Sequence, residues 1–304
     1  MRVTVLYGGP SAEREVSLVS GKAVIDGLRS MGHEVFPSDV SPTDLSGLDH
    51  PADVIFPVLH GSFGESGELQ EILEQRGLPF VGSGSKASRL GMNKVATKKA
   101  WEKAGLPTPS YRVIRRGETI GEAPTSCVVK AIESGSSIDV YLCKASAEQP
   151  ANVASAIQEV LSRHEEVLVE QFIEGPELTV GLLEEKPLAP IRIVPKREFF
   201  DFEAKYKASD TEHRFDTGLS DAVIQQCRDL AQKANAVVGA RDLGRIDIML
   251  DNQHRPYLLE INTLPGFTPK SLLPEAAAHS GIAFGPLVDR LVRRAVARGP
   301  VGAD

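Results

Sequence analysis

Val3 to Tyr7 is a short apolar, β-branched run that Gly8-Gly9-Pro10-Ser11 interrupts, after which Val16, Val19, Ala23, Leu28 and Met31 recur at helical spacing. This predicts strand, turn, helix. The unit repeats in HEVFPSDV, in VIFPVLHG feeding GELQEILEQRG, and in PFVG feeding SKASRLGMNKVATKKAWEKAG. Apolar strands alternating with helices imply a parallel sheet covered on both faces, here ending near residue 90. From about residue 110 the pattern changes: YRVI, SCVVKAI and DVYLCKA follow one another, then a helix near 148–163, then EVLVEQFI. Strand after strand predicts an antiparallel α+β unit. ELTVGLLE, PLAPIRIVP, a helix through about 220–238, GRIDIMLD, RPYLLEINTLPGF and two closing helices make a third region. Within it the polar stretch FFDFEAKYKASDTEHRFD is too long for a connector and reads as a lid loop.

Composition narrows the partners. A chain of 304 residues, 41% hydrophobic, is long enough to split into more than one core. A net charge of -7 gives no reason to expect nucleic acid or an anionic membrane surface. Cys127, Cys143 and Cys227 are widely spaced and suggest neither a disulfide framework nor a thiolate zinc site. No signal-peptide core and no membrane-length apolar run stands out, so a cytoplasmic protein acting on small metabolites is expected.

Chemistry concentrates in four places. GRIDIMLD and YLLEIN, joined through Asn252-Gln253-His254, predict a hairpin with Asp247 opposite residue 259 or 260 and with Glu260 and Asn262 on one face. Three hard oxygen donors there suit Mg²⁺; the bland alternative is a solvated polar face. Lys94, Lys130 and Lys205 come from different elements and could converge on phosphates, or be surface charges. Lys130 differs, because CVVKA places its ammonium in an apolar strand. HGSFGESGELQ sets His60 at a strand end before a helix, either an anion site or a simple turn. Gly82-Ser83-Gly84-Ser85-Lys86-Ala87 matches a dinucleotide fingerprint and would imply a nicotinamide-dependent dehydrogenase, but it does not open a βαβ unit.

The ordered set GGPSAEREVSLVSG, HGSFGESGELQ, FVGSGSKASRLGMNK, VVKAIESGSS, EGPELTVG, EAKY, GRIDIML and LLEINTLPGFTPKSLLP resembles the D-alanine:D-alanine ligase family of ATP-grasp enzymes over essentially the whole chain. The resemblance implies an α/β and α+β, three-domain ATP-grasp architecture. Its parts would be an N-terminal parallel α/β domain (1–90), a central ATP-grasp subdomain (91–170) and a C-terminal subdomain carrying metal site and lid (171–304). It implies ATP-dependent joining of two D-alanines through an acyl phosphate for peptidoglycan synthesis, with two Mg²⁺ or Mn²⁺ ions and a homodimer. By position, Lys94, Lys130 and Lys205 would hold phosphates, Glu170 and Ile173 the adenine, and Glu177 the ribose. Glu13 would bind the first D-alanine's ammonium and His60 would lie by its carboxylate. Arg245 and the Gly266 amide would stabilise the oxyanion, and Ser271 and Leu272 would receive the second carboxylate. Ser136 and Tyr206 would bond to Glu13, and a tyrosine at 206 favours the dipeptide over a depsipeptide.

The chain departs from the family pattern at Ser66, Asn93, Ala131, Ser134 and Asp139. Asp139 stands where glycine is usual: a carboxylate within about 6 Å of a triphosphate would cost on the order of 1 kcal/mol, and a side chain resists positive φ. Alternation is expected to turn it away from the phosphates as it starts the next strand. A ligase for another amino or hydroxy acid, or a nucleotide-binding homologue with weakened catalysis, are the alternatives.

Overall fold

The computed structural model describes residues 1–121, 126–134, 139–144, 152–195 and 211–300. The first run, Arg2–Tyr7 (β1), pairs in parallel with Glu34–Asp39 (β2) on one side and Val54–Pro57 (β3) on the other. Phe80 extends this sheet by a single parallel bridge to Ile55, so the expected fourth strand shrinks to one contact. Helix Arg14–Ser30 (α1) buries Val24, Ile25 and Leu28 against the sheet. The closing helix Phe284–Arg298 contributes Leu287, Val288, Leu291 and Val292 to the same core. The last helix therefore covers the first sheet.

The change of pattern after residue 110 becomes a separate antiparallel sheet in the order β4 (Tyr111–Arg115), β7 (Glu166–Gln171), β5 (Ser126–Ala131), β6 (Val140–Lys144). Helix Val153–Arg163 (α6) packs Ala156, Ile157 and Val160 on one face of it. The third sheet runs β11 (Thr211–Arg214), β10 (Ile191–Pro195), β8 (Glu177–Leu183), β12 (Leu243–Leu250), β13 (Pro256–Asn262), with β9 (Lys186–Pro187) beside β8. The predicted hairpin is β12–β13, paired Asp247 to Glu260 and Arg245 to Asn262, with an irregularity between Asp247 and Ile248. TEHR, read from sequence as part of the lid, instead pairs antiparallel with β10 as an edge strand.

SKASRLGMNKVATKKAWEKAG forms two helices, Ser85–Met92 (α4) and Lys94–Lys103 (α5), broken at Asn93. Asn93 has extended backbone and its side-chain oxygen accepts the Ala96 N–H at 2.8 Å, capping α5. Trp101 of α5 is fully buried among Leu178, Ile246 and Leu258, and its indole N–H donates to the Ala234 carbonyl at 3.1 Å. Thus α5 belongs to the core of the third sheet while its first residue, Lys94, reaches the second.

Candidate active site

Elements beside all three sheets contribute side chains to one cavity. From the first comes Ser62–Glu65 (α2), a single turn whose Glu65 carboxylate accepts the Gly61 N–H at 2.7 Å and lies 3.9 Å from His60 Nδ1. His60 is buried, and its Nε2 has no hydrogen-bond partner. Gly61 has φ +80°, and a Cβ there would sit 2.6 Å from Ser11 Cβ and 3.6 Å from a Glu13 carboxylate oxygen. The glycine is thus required for the loop before α1 to approach the end of β3, which sets Glu13 beside the His60 turn. The anion reading of this turn is weakened, because Glu65 occupies the Gly61 amide and Glu68 and Glu71 stand in the first turn of the next helix.

From the second and third sheets come the lysines and the acids. Lys94 is buried; its ammonium donates to the Ser134 carbonyl at 2.6 Å and lies 3.7 Å from Glu260. Glu65, Lys94, Ser134, Glu260 and Asn262 line one cavity. Asn93 donates its side-chain N–H to Glu133 at 2.6 Å, a bond an ionised aspartate could not make. Lys130 lies 2.5 Å from Glu170, which is itself almost fully buried. Burial pulls the Lys130 ammonium toward neutrality, but Glu170 and Glu260 outweigh it and hold it above the usual lysine value. Burial likewise pushes Glu170 up, while Lys130 and Lys98 more than reverse this and hold it below the usual carboxylate range.

The hairpin acids sit on one face, as alternation requires. Asp247 accepts from Arg245 Nε at 2.9 Å and Nη2 at 2.8 Å, from the Thr179 hydroxyl at 2.6 Å and from Asn262 at 3.3 Å. Arg245, pulled down by burial, is held above its ordinary value by Asp247. No cluster of three His, Cys, Asp or Glu is grouped to hold a metal among the described residues; the oxygen set here is two carboxylates and one amide. Such a set fits a hard cation, and Arg245 now occupies both oxygens of Asp247. After the hairpin, Ser271 starts the helix Leu272–His279, its hydroxyl accepting the Thr268 N–H at 3.0 Å and facing Gly266. Ile173 is buried at the link between the second and third sheets, and Glu177 opens β8.

Ser136, Lys205 and Tyr206 lie outside the described residues. The sequence reading missed Glu65, Thr179 and Lys98. Glu65 carried a signal, a lone acid inside the glycine-rich turn; Thr179 and Lys98 carried none, since each looks like an ordinary strand or helix residue.

The Gly82–Ala87 loop, set aside on sequence as a dinucleotide site, has two of its amides taken: Gly82 N–H donates to Asp242 at 2.8 Å and Ser85 N–H to Glu74 at 2.9 Å. One expectation is corrected. Asp139 does adopt positive φ, +57°, and its carboxylate is paired with Arg163 at 2.6 Å and His164 at 2.7 Å, at the end of α6.

Residues 100–293 match the family profile described as D-ala D-ala ligase C-terminus, and residues 41–83 the one described as D-ala D-ala ligase N-terminus. Curated relatives include a D-alanine–D-alanine ligase of Gloeobacter violaceus, 41% identical over 97% of this chain and 100% of its own length. A second, from Marinobacter nauticus, is 43% identical over 98% and 92%. The fold superposes on the crystal structure of D-alanine–D-alanine ligase from Bacillus anthracis complexed with ATP, with a TM-score of 0.83, 27% identity and 98% of each chain covered. Full-length likeness in sequence and fold leaves one conclusion: the chain belongs to the D-alanine–D-alanine ligase family.

Proposed function

We propose that the chain joins two D-alanines into D-alanyl-D-alanine for peptidoglycan synthesis, converting ATP to ADP and phosphate. The observation that carries this reading is the convergence of Lys94, Glu65, Glu260 and Asn262 on one cavity where three sheets meet. A carboxylate does not accept an amine directly, because oxide is a poor leaving group. An oxygen of the first D-alanine attacks the γ-phosphorus, forming an O–P bond as the bond to the β-phosphate oxygen breaks. The second D-alanine's amine then attacks the acyl carbon, and phosphate leaves.

Such chemistry asks the protein for positioning and charge neutralisation. Lys94 and Lys130, with Lys205, hold phosphates; Glu170 and Ile173 meet the adenine and Glu177 the ribose. Glu13 takes the first ammonium, with His60 near its carboxylate, and Ser136 and Tyr206 bond to Glu13. Ser271 and Leu272 receive the second carboxylate. Asp247, Glu260 and Asn262 would hold Mg²⁺ or Mn²⁺, which when bound neutralises phosphate charge. Arg245 releases Asp247 to that site and, with the Gly266 amide, faces the developing oxyanion. Domains at 1–90, 91–170 and 171–304, a homodimer and a cytoplasmic location complete the reading. A homologue of weakened catalysis loses its motive, because Asp139 is neutralised within its own sheet and helix.

The test is release of phosphate from ATP and Mg²⁺ with and without D-alanine, with the product identified by mass. One phosphate per dipeptide is expected. Phosphate release that ignores D-alanine, or that needs a different amino or hydroxy acid, would overturn the assignment.

A further inference from the structure

We propose that Lys98 is a positioning residue that sets nucleobase choice, by fixing the Glu170 carboxylate so that a 6-amino purine is accepted over a 6-oxo purine. This rests on the reading above that Glu170 faces the base. Lys98 lies one turn after Lys94 in α5 and is fully buried, unlike a surface lysine of an amphipathic helix. Its ammonium is 2.5 Å from Glu170 Oε1 and donates at 2.5 Å to the Thr108 hydroxyl, which in turn donates to the Leu258 carbonyl at 2.8 Å. It also stands 5.5 Å from the centre of the Tyr111 ring. These partners come from the 108–111 segment, from β7 and from β13, so the position of the ammonium is set by the fold.

Glu170 Oε2 is 2.5 Å from Lys130 and Oε1 is 2.5 Å from Lys98, so each oxygen is held by one ammonium. Each carboxylate oxygen can accept twice, so buried accepting capacity remains on an acid held from two sides. An ionised carboxylate accepts and cannot donate. A ligand group that meets Oε1 must bring an N–H or O–H, which the 6-amino group of adenine does and the 6-carbonyl of hypoxanthine or guanine does not. Loss of Lys98 leaves one counter-ion for a buried acid, which is then free to turn or to take a proton. A protonated carboxyl donates as well as accepts, and the discrimination falls. Burial together with the like charge of Lys130 pulls Lys98 itself below the usual lysine value, with Glu170 opposing; the two lysines are thus tied to one acid.

The probe pair is ATP and inosine triphosphate, which differ at the 6-position of the purine and the attached ring nitrogen. In Lys98→Met the kcat/KM ratio of ATP to inosine triphosphate should fall about 10-fold or more, with KM for D-alanine unchanged. A purely structural role would lower Tm and leave the ratio alone. Glu170→Gln should lower the ratio too, and the double variant should match Glu170→Gln, because Lys98 acts only through that acid. If Glu170→Gln lowers the ratio but Lys98→Met does not, the role of Lys98 is overturned and Glu170 still faces the base. If neither changes it, the placement of Glu170 at the base fails. Should Lys98→Met not fold, the double variant, which leaves no unpaired buried acid, decides: a ratio different from that of Glu170→Gln overturns the proposal.

Discussion

Asp139 shows how one residue can break a local rule and be compensated nearby. Its φ of +57° lies in the left-handed region, which costs an L-residue roughly 1–2 kcal/mol but is entered by Asp and Asn more readily than by most side chains. Its backbone carbonyl accepts the Ala131 N–H at 3.1 Å, so it continues the β5–β6 ladder next to Lys130. Arg163 and His164 face its carboxylate from the end of α6, with Tyr141 and Glu159 in turn on Arg163. Glycine would relieve the backbone and lose the ion pairs; alanine would lose the ion pairs and keep the strain. Asp139→Ala should therefore unfold at lower urea than Asp139→Gly, by about 1 kcal/mol. Asp139→Asn should fall nearer to Asp139→Gly. Equal midpoints for Ala and Gly would show that the backbone at 139 carries no strain.

At the scale of elements, the alternation of GRIDIMLD and YLLEIN was enough to place Asp247, Glu260 and Asn262 on one face of a hairpin, because strand periodicity leaves no other choice. The strand-rich middle and the parallel start were legible for the same reason. What the pattern could not carry was which side chain lies under the acids. Thr179, in β8, pairs with Asp247 across the sheet only through long-range order, and its hydroxyl donates to Asp247 at 2.6 Å. MNKVATKK keeps helical composition through Asn93, and the side-chain cap there marks where the second helix starts. The edge strand TEHR was masked by its polarity, its pairing with β10 supplying what composition withheld. Thr179→Val preserves shape and strand propensity while removing the bond to Asp247. If Asp247 holds the metal as proposed, the Mg²⁺ concentration for half-maximal phosphate release should then rise about 10-fold, the usual loss when a partner that orients a metal-ligating carboxylate is removed. An unchanged Mg²⁺ titration would mean that Arg245 and Asn262 alone orient Asp247.

Across the whole molecule, the junction between the first and third sheets combines a shared apolar core, in which Val5 and Phe56 share one cluster with Leu183, Leu243 and Phe267, with one buried carboxylate. Asp242 is fully buried with φ +64°, just before β12. It accepts the Gly82 N–H at 2.8 Å and pairs with Arg298 at 2.5 Å and Arg294 at 3.1 Å, both on the closing helix. Arg298 also donates to the Phe80 carbonyl at 2.7 Å, and Arg241 to the Gly82 carbonyl at 2.8 Å. The end of the first sheet, the start of the β12–β13 hairpin and the last helix are thereby tied at one point. D-alanine, in the proposed reading, is bound by Glu13 and His60 from one side of this junction and by Arg245 and Ser271 from the other, whereas ATP lies between the second and third sheets. Asp242→Asn tolerates the same backbone, so it isolates the charge. Removing one partner of a buried pair typically costs about 3–5 kcal/mol, lessened here because both arginines are partly exposed. The variant should unfold at lower urea and raise KM for D-alanine several-fold with KM for ATP little changed. In a double-mutant cycle with Arg298→Gln the two losses should be less than additive by at least about 0.5 kcal/mol. A rise in KM for ATP equal to that for D-alanine would show that the junction loosens the whole cleft instead of the contact between the first and third sheets.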